Sequence, residues 1–348
     1  MKRQKIVIAA GGTGGHLFPA QQLSMELERR AEIFFLGEGL ERSPFFQKER
    51  FPFQTIAAAP LLFSLSGLLR FTGVSCKSIC KALFLLRSLS PDLVIGFGSF
   101  HAFPVLAAAA FLRKKILLFE ANCQMGKVNR LFSPFASIAA QFPLPGKVEL
   151  VPLLPWKKKP STWSPNAARE RFGLDPDRIT GLVFGGSQGA LFLNKMAPIV
   201  LPSFVQAIHL AGKEERVEEV RLLYAKRGIK AAVIAYESEM DCAYAAADFA
   251  FCRAGASTIA ELIAHELPAI LIPYPFSTDG HQIANARFLA KNVGGAIMML
   301  EQAATAESLS LAIASLLEQA KEFRNALGAY RQECAGRESL ADRVMRGI

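Results

Sequence analysis

The stretch Lys5-Ile6-Val7-Ile8-Ala9-Ala10-Gly11-Gly12-Thr13-Gly14-Gly15-His16 decides the fold. Met1–Ala10 carries the unbroken apolar run of a buried strand, and the glycines end it in a turn. A helix is expected from about Pro19 to Arg30, followed by a strand at Ile33–Gly37. Strand, glycine turn, helix and strand, in that order, make the opening unit of a doubly wound parallel sheet. Asp92–Gly96 and Ile116–Glu120 read as further parallel strands, with the Ala-rich Ala102–Leu112 as a buried helix between them.

The pattern then restarts. Pro152–Pro165 gathers four prolines, two tryptophans and Lys157-Lys158-Lys159 without periodicity, which marks an interdomain linker. Beyond it, Gly181–Phe184 is a strand and Gly185-Gly186-Ser187-Gln188-Gly189 a second glycine turn leading into a helix. Strand Phe249–Cys252, helix Ser257–His265 and strand Ala269–Pro273 follow. At 348 residues the chain outgrows a single core, so the expectation is α/β with two Rossmann-like doubly wound domains.

Charge is divided unevenly. Residues 1–157 hold 19 Lys and Arg against 9 Asp and Glu, while the remainder holds 21 of each. The whole excess of +10 thus lies in the first half, which suits a polyanionic partner such as anionic lipid or phosphate. No nucleic-acid reading motif accompanies it, so no nucleic-acid partner is expected. A composition of 51% hydrophobic and 20% charged residues argues against disorder. No apolar run reaches the roughly 18 residues that a membrane span needs, and Ile6–Ala10 is too short for a signal peptide. Cys76, Cys80, Cys123, Cys242, Cys252 and Cys334 show neither CxxC nor metal spacing, so reduced thiols in a cytoplasmic protein are expected, with no metal site.

Four segments carry chemistry. In Gly11–His16 the glycines admit a ligand close to the backbone, and the following helix start favours an anion. The spacing is not the dinucleotide fingerprint, and the reading places no acidic residue at the end of the next strand to hold a ribose. His16, at that helix start, is expected to stay neutral beside the dipole and to serve as a general base. Gly96-Phe97-Gly98-Ser99-Phe100 should lie beside the first turn; Gly12, Gly98 and Ser99 then form a diphosphate cradle. Gly185–Ala190, with the Ser187 hydroxyl, suits a nucleotide diphosphate. The fourth segment runs from Cys252-Arg253-Ala254-Gly255 through Ala256–Glu261 to Asp279-Gly280-His281-Gln282 and Asn285. There Glu261 can accept ribose hydroxyls, and His281 and Gln282 can contact sugar hydroxyls. The DxD string Asp175-Pro176-Asp177 sits in a turn far from the glycine loops and is given no ligand role.

Taken together, Gly11–His16, Phe184–Ala190, His209–Lys213 and Arg253–Ala286 resemble the MurG family of N-acetylglucosaminyltransferases. That resemblance implies the GT-B architecture, two Rossmann-like domains facing a central cleft. It implies domains at 1–157 and 158–332, with a C-terminal helix at about 333–348 packing back on the first. It also implies inverting transfer from UDP-N-acetylglucosamine to a lipid-linked muramyl-pentapeptide, without metal or cofactor, at the cytoplasmic face of the inner membrane. By position, Thr13, Gly14 and Gly15 would lie near donor and acceptor diphosphate, Asn122 at the donor sugar and Ser187 at the UDP phosphates. The backbone near Glu237 would read the uracil. Ala256, Ser257, Thr258, Ile259, Ala260 and Glu261 would cover the nucleotide, with Gln282 on the hexosamine. Ser99 and Phe100 depart from the family's usual Gly and Tyr, Ala121 replaces a Gln, and Trp156 or Lys157 stands where an arginine is usual.

Residues 61–89 mix apolar and basic side chains. On a helix Arg70, Lys77 and Lys81 fall within about 40° of one another, with Phe84 at the stripe's edge. Leu83–Leu86 would be apolar all round, which suits rest on an anionic lipid surface. Two rival functions share these residues: a UDP-sugar-dependent diacylglycerol glycosyltransferase, and a non-catalytic membrane-docked subunit that binds nucleotide-sugar.

Overall fold

The computed structural model describes residues 3–12, 14–60, 64–154, 163–186 and 188–347, and of 65–70 the backbone alone. It comprises two compact units, Met1–Trp156 with Gly336–Ile348, and Lys157–Ala335.

The first unit runs β1 (Gln4–Ala9), α1 (Gly14–Leu27), β2 (Ala31–Gly37), β3 (Phe53–Thr55), α2 (Leu65–Leu89), β4 (Leu93–Gly96), α3 (Phe103–Phe111), β5 (Ile116–Glu120), α4 (Lys127–Phe132), β6 (Ser137–Ala140) and β7 (Glu149–Leu150). All pairings are parallel, in the order β3-β2-β1-β4-β5-β6-β7. Because successive side chains of β1 point to opposite faces, Ile6 and Ile8 join the core under α1, while Val7 and Ala9 join the one under α2 and α3. Both faces are covered, so β4 and β5 are fully buried and apolar up to Glu120 at the end of β5.

In the second unit come α5 (Pro165–Arg171), β8 (Thr180–Phe184), α6 (Leu191–Val200), β9 (Gln206–Leu210), α7 (Val217–Lys226), β10 (Ala231–Ile234), α8 (Met240–Ala246), β11 (Phe249–Cys252), α9 (Ala256–Ala264), β12 (Ala269–Leu271), α10 (His281–Arg287), β13 (Ala296–Met298), α11 (Ala306–Glu318) and α12 (Ala320–Ala335). Its parallel sheet has the order β10-β9-β8-β11-β12-β13. Both sheets therefore reverse winding direction between their first and fourth strands, β1/β4 and β8/β11. That is where a doubly wound sheet binds ligands.

After α12 the chain rejoins the first unit through α13 (Leu340–Arg346). Leu340, Ala341 and Val344 pack into the α1 core. Arg337 donates to the carbonyls of Gln141 at 3.2 Å and Val151 at 3.4 Å, and Arg30 pairs with Asp342 at 2.6 Å.

Several expectations need correction. α1 begins at Gly14, not near Pro19, so Gly14, Gly15 and His16 occupy its first turn and Pro19 lies inside the helix. An acidic residue does follow the second strand: Glu38, whose carboxylate accepts the Ala58 amide at 2.9 Å. Pro165, read as linker, opens α5; residues 155–162, including Trp156 and Lys157, lie outside the described residues. His209 does not line a site. It is fully buried between Tyr224 Oη, 2.9 Å, and Asn194 Oδ1, 3.1 Å, and burial pushes its imidazole down to about 3. No helix among the described residues is long and apolar enough to cross a membrane.

Candidate active site

At the β1/β4 switch of the first unit, the two glycine loops lie side by side. Gly12 holds φ +79°, and a side chain there would meet the His101 ring at 2.4–2.9 Å. Only glycine fits this turn. The Phe97 amide donates to Ala9 O at 3.0 Å, and His16 Nδ1 lies 2.8 Å from Phe97 O. A carbonyl only accepts, so Nδ1 carries the proton and Nε2 the lone pair. That tautomer suits a base. The second loop is tighter than its sequence suggests. Ser99 sits at φ 65°, ψ 154°, a region nearly reserved for glycine. Its Oγ lies 2.7 Å from His101 Nδ1. Burial, and secondarily the neighbouring His16, push the His101 imidazole down to about 4. Thr13 lies outside the described residues.

Beyond β5, one carboxylate organises the Asn122 loop. Glu120, 4% exposed, accepts the Asn122 amide and Nδ2 on Oε1, both at 3.1 Å. Its Oε2 takes the Gly126 amide and Asn129 Nδ2, both at 2.9 Å. Asn122 is thus fixed in place by an acid that the sequence reading used only as a strand end.

At the β8/β11 switch of the second unit, Gly189 and Gly212 stand back to back. A side chain on either would come within 2.2 Å of the other's backbone or its neighbour's. This contact explains the glycine in His209–Lys213: it lets that loop pack against the Gly185–Gly189 turn. Ser187 lies outside the described residues. Across the switch, Gly255 is the N-cap of α9 and no side chain caps the helix, so the first-turn amides of Ala256, Ser257 and Thr258 are available to an anion. Ile259 and Ala260 are fully buried, because helical periodicity turns them to the core with Leu262 and Ile263. Of the expected run, those two can act only as scaffold.

Glu261 is partly buried in the second turn of α9, where Oε2 accepts the Tyr244 hydroxyl at 2.7 Å. Burial pushes this carboxyl up to about 7, against the Tyr244 hydrogen bond and helped by Asp241. Gln282 points its Oε1 at two loop amides, Ala254 at 3.2 Å and Tyr274 at 2.9 Å. Two N–H donors fix which atom is oxygen. His281 Nδ1 lies 2.7 Å from Thr278 O. The Glu237 side chain is consumed: Arg171 grips both oxygens, at 3.0 and 3.3 Å, and the Glu239 amide adds a bond at 2.6 Å. Burial alone would raise the Glu237 carboxyl, but Arg171 and the amides outweigh it and hold it below the usual carboxylate range. Its neighbour Tyr236 is 62% exposed. Among the described residues no three His, Cys, Asp or Glu side chains converge as a metal site. A cavity of about 400 Å³ lies elsewhere in the first unit, at the amino edge of its sheet between Lys5, Ile33, Arg50 and Pro91. Neither glycine loop reaches it.

The glycosyltransferase family 28 N-terminal domain matches residues 6–141, and the family's C-terminal domain matches residues 180–343. A UDP-N-acetylglucosamine–N-acetylmuramyl-(pentapeptide) pyrophosphoryl-undecaprenol N-acetylglucosamine transferase of Protochlamydia amoebophila is 37% identical, over 90% of this chain and 88% of that one. A protein of the same name from Chlamydia felis is 34% identical over 95% of each. The chain belongs to the MurG family. The crystal structure of Acinetobacter baumannii MurG superposes with a TM-score of 0.77 at 25% identity, covering 98% of each chain. Both units of this MurG-family chain are thus of the GT-B fold class. The spinosyn rhamnosyltransferase SpnG, at TM-score 0.72 and 16% identity, shares the fold.

Three residues that position the candidate site residues carry no mark in the sequence pattern: His101, Tyr244 and Arg171. His101 comes directly after the second glycine loop, a position that a search around loops could have found. Tyr244 and Arg171 act on Glu261 and Glu237 from 17 and 66 residues away. No local pattern signals them.

Proposed function

We propose that the chain transfers N-acetylglucosamine from UDP-N-acetylglucosamine to lipid-linked muramyl-pentapeptide, giving lipid II for peptidoglycan. Near full-length similarity to relatives bearing that activity in their names carries this reading. The second unit takes the donor. The uncapped α9 start and the Gly185–Gly189 turn, with Ser187, accept the diphosphate; Glu261 accepts from the ribose; the backbone near Glu237 reads the uracil. Gln282 uses its amide nitrogen on the hexosamine, since its oxygen is already engaged.

The first unit takes the acceptor, with its diphosphate at Gly12, Gly98 and Ser99 beside Gly14 and Gly15. The acceptor hydroxyl attacks the anomeric carbon in line, and the bond from that carbon to the β-phosphate oxygen breaks, with inversion. The hydroxyl proton passes to His16 Nε2, while Phe97 O holds Nδ1–H and so fixes the ring. The departing UDP gains charge at the α9 and α6 amides, which stabilise it without reorganising. No step requires a metal.

The enzyme works as a peripheral protein on the cytoplasmic face of the inner membrane. On α2, Lys77, Lys81 and Phe84 are exposed, Phe84 by 72%. The expected all-round apolar face is smaller than read: Leu83, Leu85 and Leu86 pack into the core and leave Phe84 as the apolar contact. Lys81 Nζ also donates to Thr55 O at 3.0 Å, and the Arg70 side chain lies outside the described residues. The deciding experiment incubates the protein with UDP-N-acetylglucosamine and a short-chain lipid I analogue, with and without chelator, and scores product and anomeric configuration. A chelator-resistant β-linked product is expected. Product only on diacylglycerol would shift the acceptor, and failure to bind UDP would leave a scaffold.

A further inference from the structure

Glu261 does not stand alone. The Tyr244 ring, 3% exposed, lies edge-on to Phe184 at 5.9 Å and stacks on His265 at 4.8 Å and 20°. His265 Nε2 in turn lies 3.6 Å from Asp241 Oδ1. Aromatic packing on both sides leaves the tyrosine hydroxyl one place to point, and it points at Glu261 Oε2, 2.7 Å away. A carboxylate otherwise has several rotamers, and a ligand contact must freeze one of them at an entropic cost. Here one oxygen is already engaged, which leaves Oε1 for a ligand.

We propose that Tyr244, braced by His265 and Asp241, is a positioning residue for the donor: it locks Glu261 so that Oε1 meets the ribose hydroxyls of the uridine nucleotide. This rests on the reading of Glu261 as the ribose contact. The groups facing Glu261 are Tyr244 and Asp241 from α8 and Cys252 from β11, while His265, the C-cap of α9, stacks on the Tyr244 ring. Burial and the Glu261 charge hold the Tyr244 hydroxyl well above its ordinary range, so it keeps its proton and donates it to Glu261 Oε2. The Cys252 thiol is likewise pushed up and stays neutral. A tyrosine that merely filled the core would need no hydroxyl at all.

The test measures kcat/KM for UDP-N-acetylglucosamine and for its 2′-deoxyuridine counterpart, with saturating lipid I analogue, in wild type and Tyr244→Phe. Wild type should prefer the ribose donor by about ten- to hundredfold, the range of a hydrogen bond to a charged group. In Tyr244→Phe that preference should fall to about threefold or less, with donor KM raised and acceptor KM unmoved. A preference left intact, or enlarged because Oε2 becomes available, overturns the proposal. No preference in wild type ends the Glu261–ribose reading itself and the proposal with it, an outcome visible without the variant. Melting curves check the fold. If Tyr244→Phe does not fold, His265→Gln, which removes the stacked ring and keeps the hydroxyl, carries the same comparison: a partial loss of preference is expected, and an unchanged one overturns the proposal.

Discussion

Donor binding should depend on pH through Glu261. Its carboxyl titrates near 7 in the free protein, because burial opposes the charge that ribose hydroxyls need as acceptor. If only the ionised form binds, the apparent Kd scales with one plus the ratio of protonated to ionised carboxyl. That factor is about 1.1 at pH 8 and about 11 at pH 6, so donor affinity should fall by about tenfold across this window. The carboxyl keeps a solvent-exposed edge, which makes tenfold an upper figure. Calorimetric titration of the free protein with UDP-N-acetylglucosamine reads this directly, since the donor's own phosphates do not titrate there. Binding should also release protons, so the heat should vary with buffer ionisation enthalpy. The stability of the ligand-free protein runs the other way. A folded pKa raised above the unfolded 4.5 favours the protonated native state, so this contribution is full below pH 4.5 and lost as pH rises through 7. A donor Kd flat from pH 6 to 8, or an equal slope in Glu261→Gln, would refute the reasoning.

Gly12→Ala must expel the His101 ring and strain a φ of +79°, so turnover should drop by at least about a hundredfold; stability should fall by about 1 kcal/mol or more, seen as a lower melting temperature. Arg171→Ala strands the Glu237 carboxylate, whose side chain is 7% exposed. It should cost about 2 kcal/mol in denaturant unfolding, and Arg171→Ala with Glu237→Ala should recover most of it. Lys77→Glu with Lys81→Glu should abolish sedimentation with anionic vesicles and leave turnover of a short-chain acceptor within about twofold. His16→Ala should keep donor affinity and lose turnover; near wild-type turnover would remove His16 as the base.

How far the sequence carried depends on which physical signal each element bears. β5 and β11 are short apolar runs bounded by turns, and both appear at the predicted residues. β9 escaped notice because Gln206 and His209 interrupt its apolar run. Their polar atoms are satisfied inside the core by Asp175, Thr180, Asn194 and Tyr224. β3 and β7, three and two residues long, are too brief to show a period. The glycine loops were legible because a glycine run after a strand marks a turn with left-handed backbone, as Gly12, Gly186 and Gly189 adopt. The roles of Ser99, Glu237 and Glu261 were legible only in part. Glu237 and Glu261 take their partners from other elements, and a pattern along the chain says nothing of contacts across it; Ser99 meets His101 two residues on, but the left-handed backbone that turns it there leaves no mark in the sequence.

The last helix has a bearing on biosynthesis. The tail that carries α13 completes the core around Leu17 and Leu23, yet it leaves the ribosome only after every residue of the second unit has been made. The first half of the polypeptide must therefore wait, partly assembled, while the later half folds. Clipping the tail would injure the core of the first unit and leave that of the second intact.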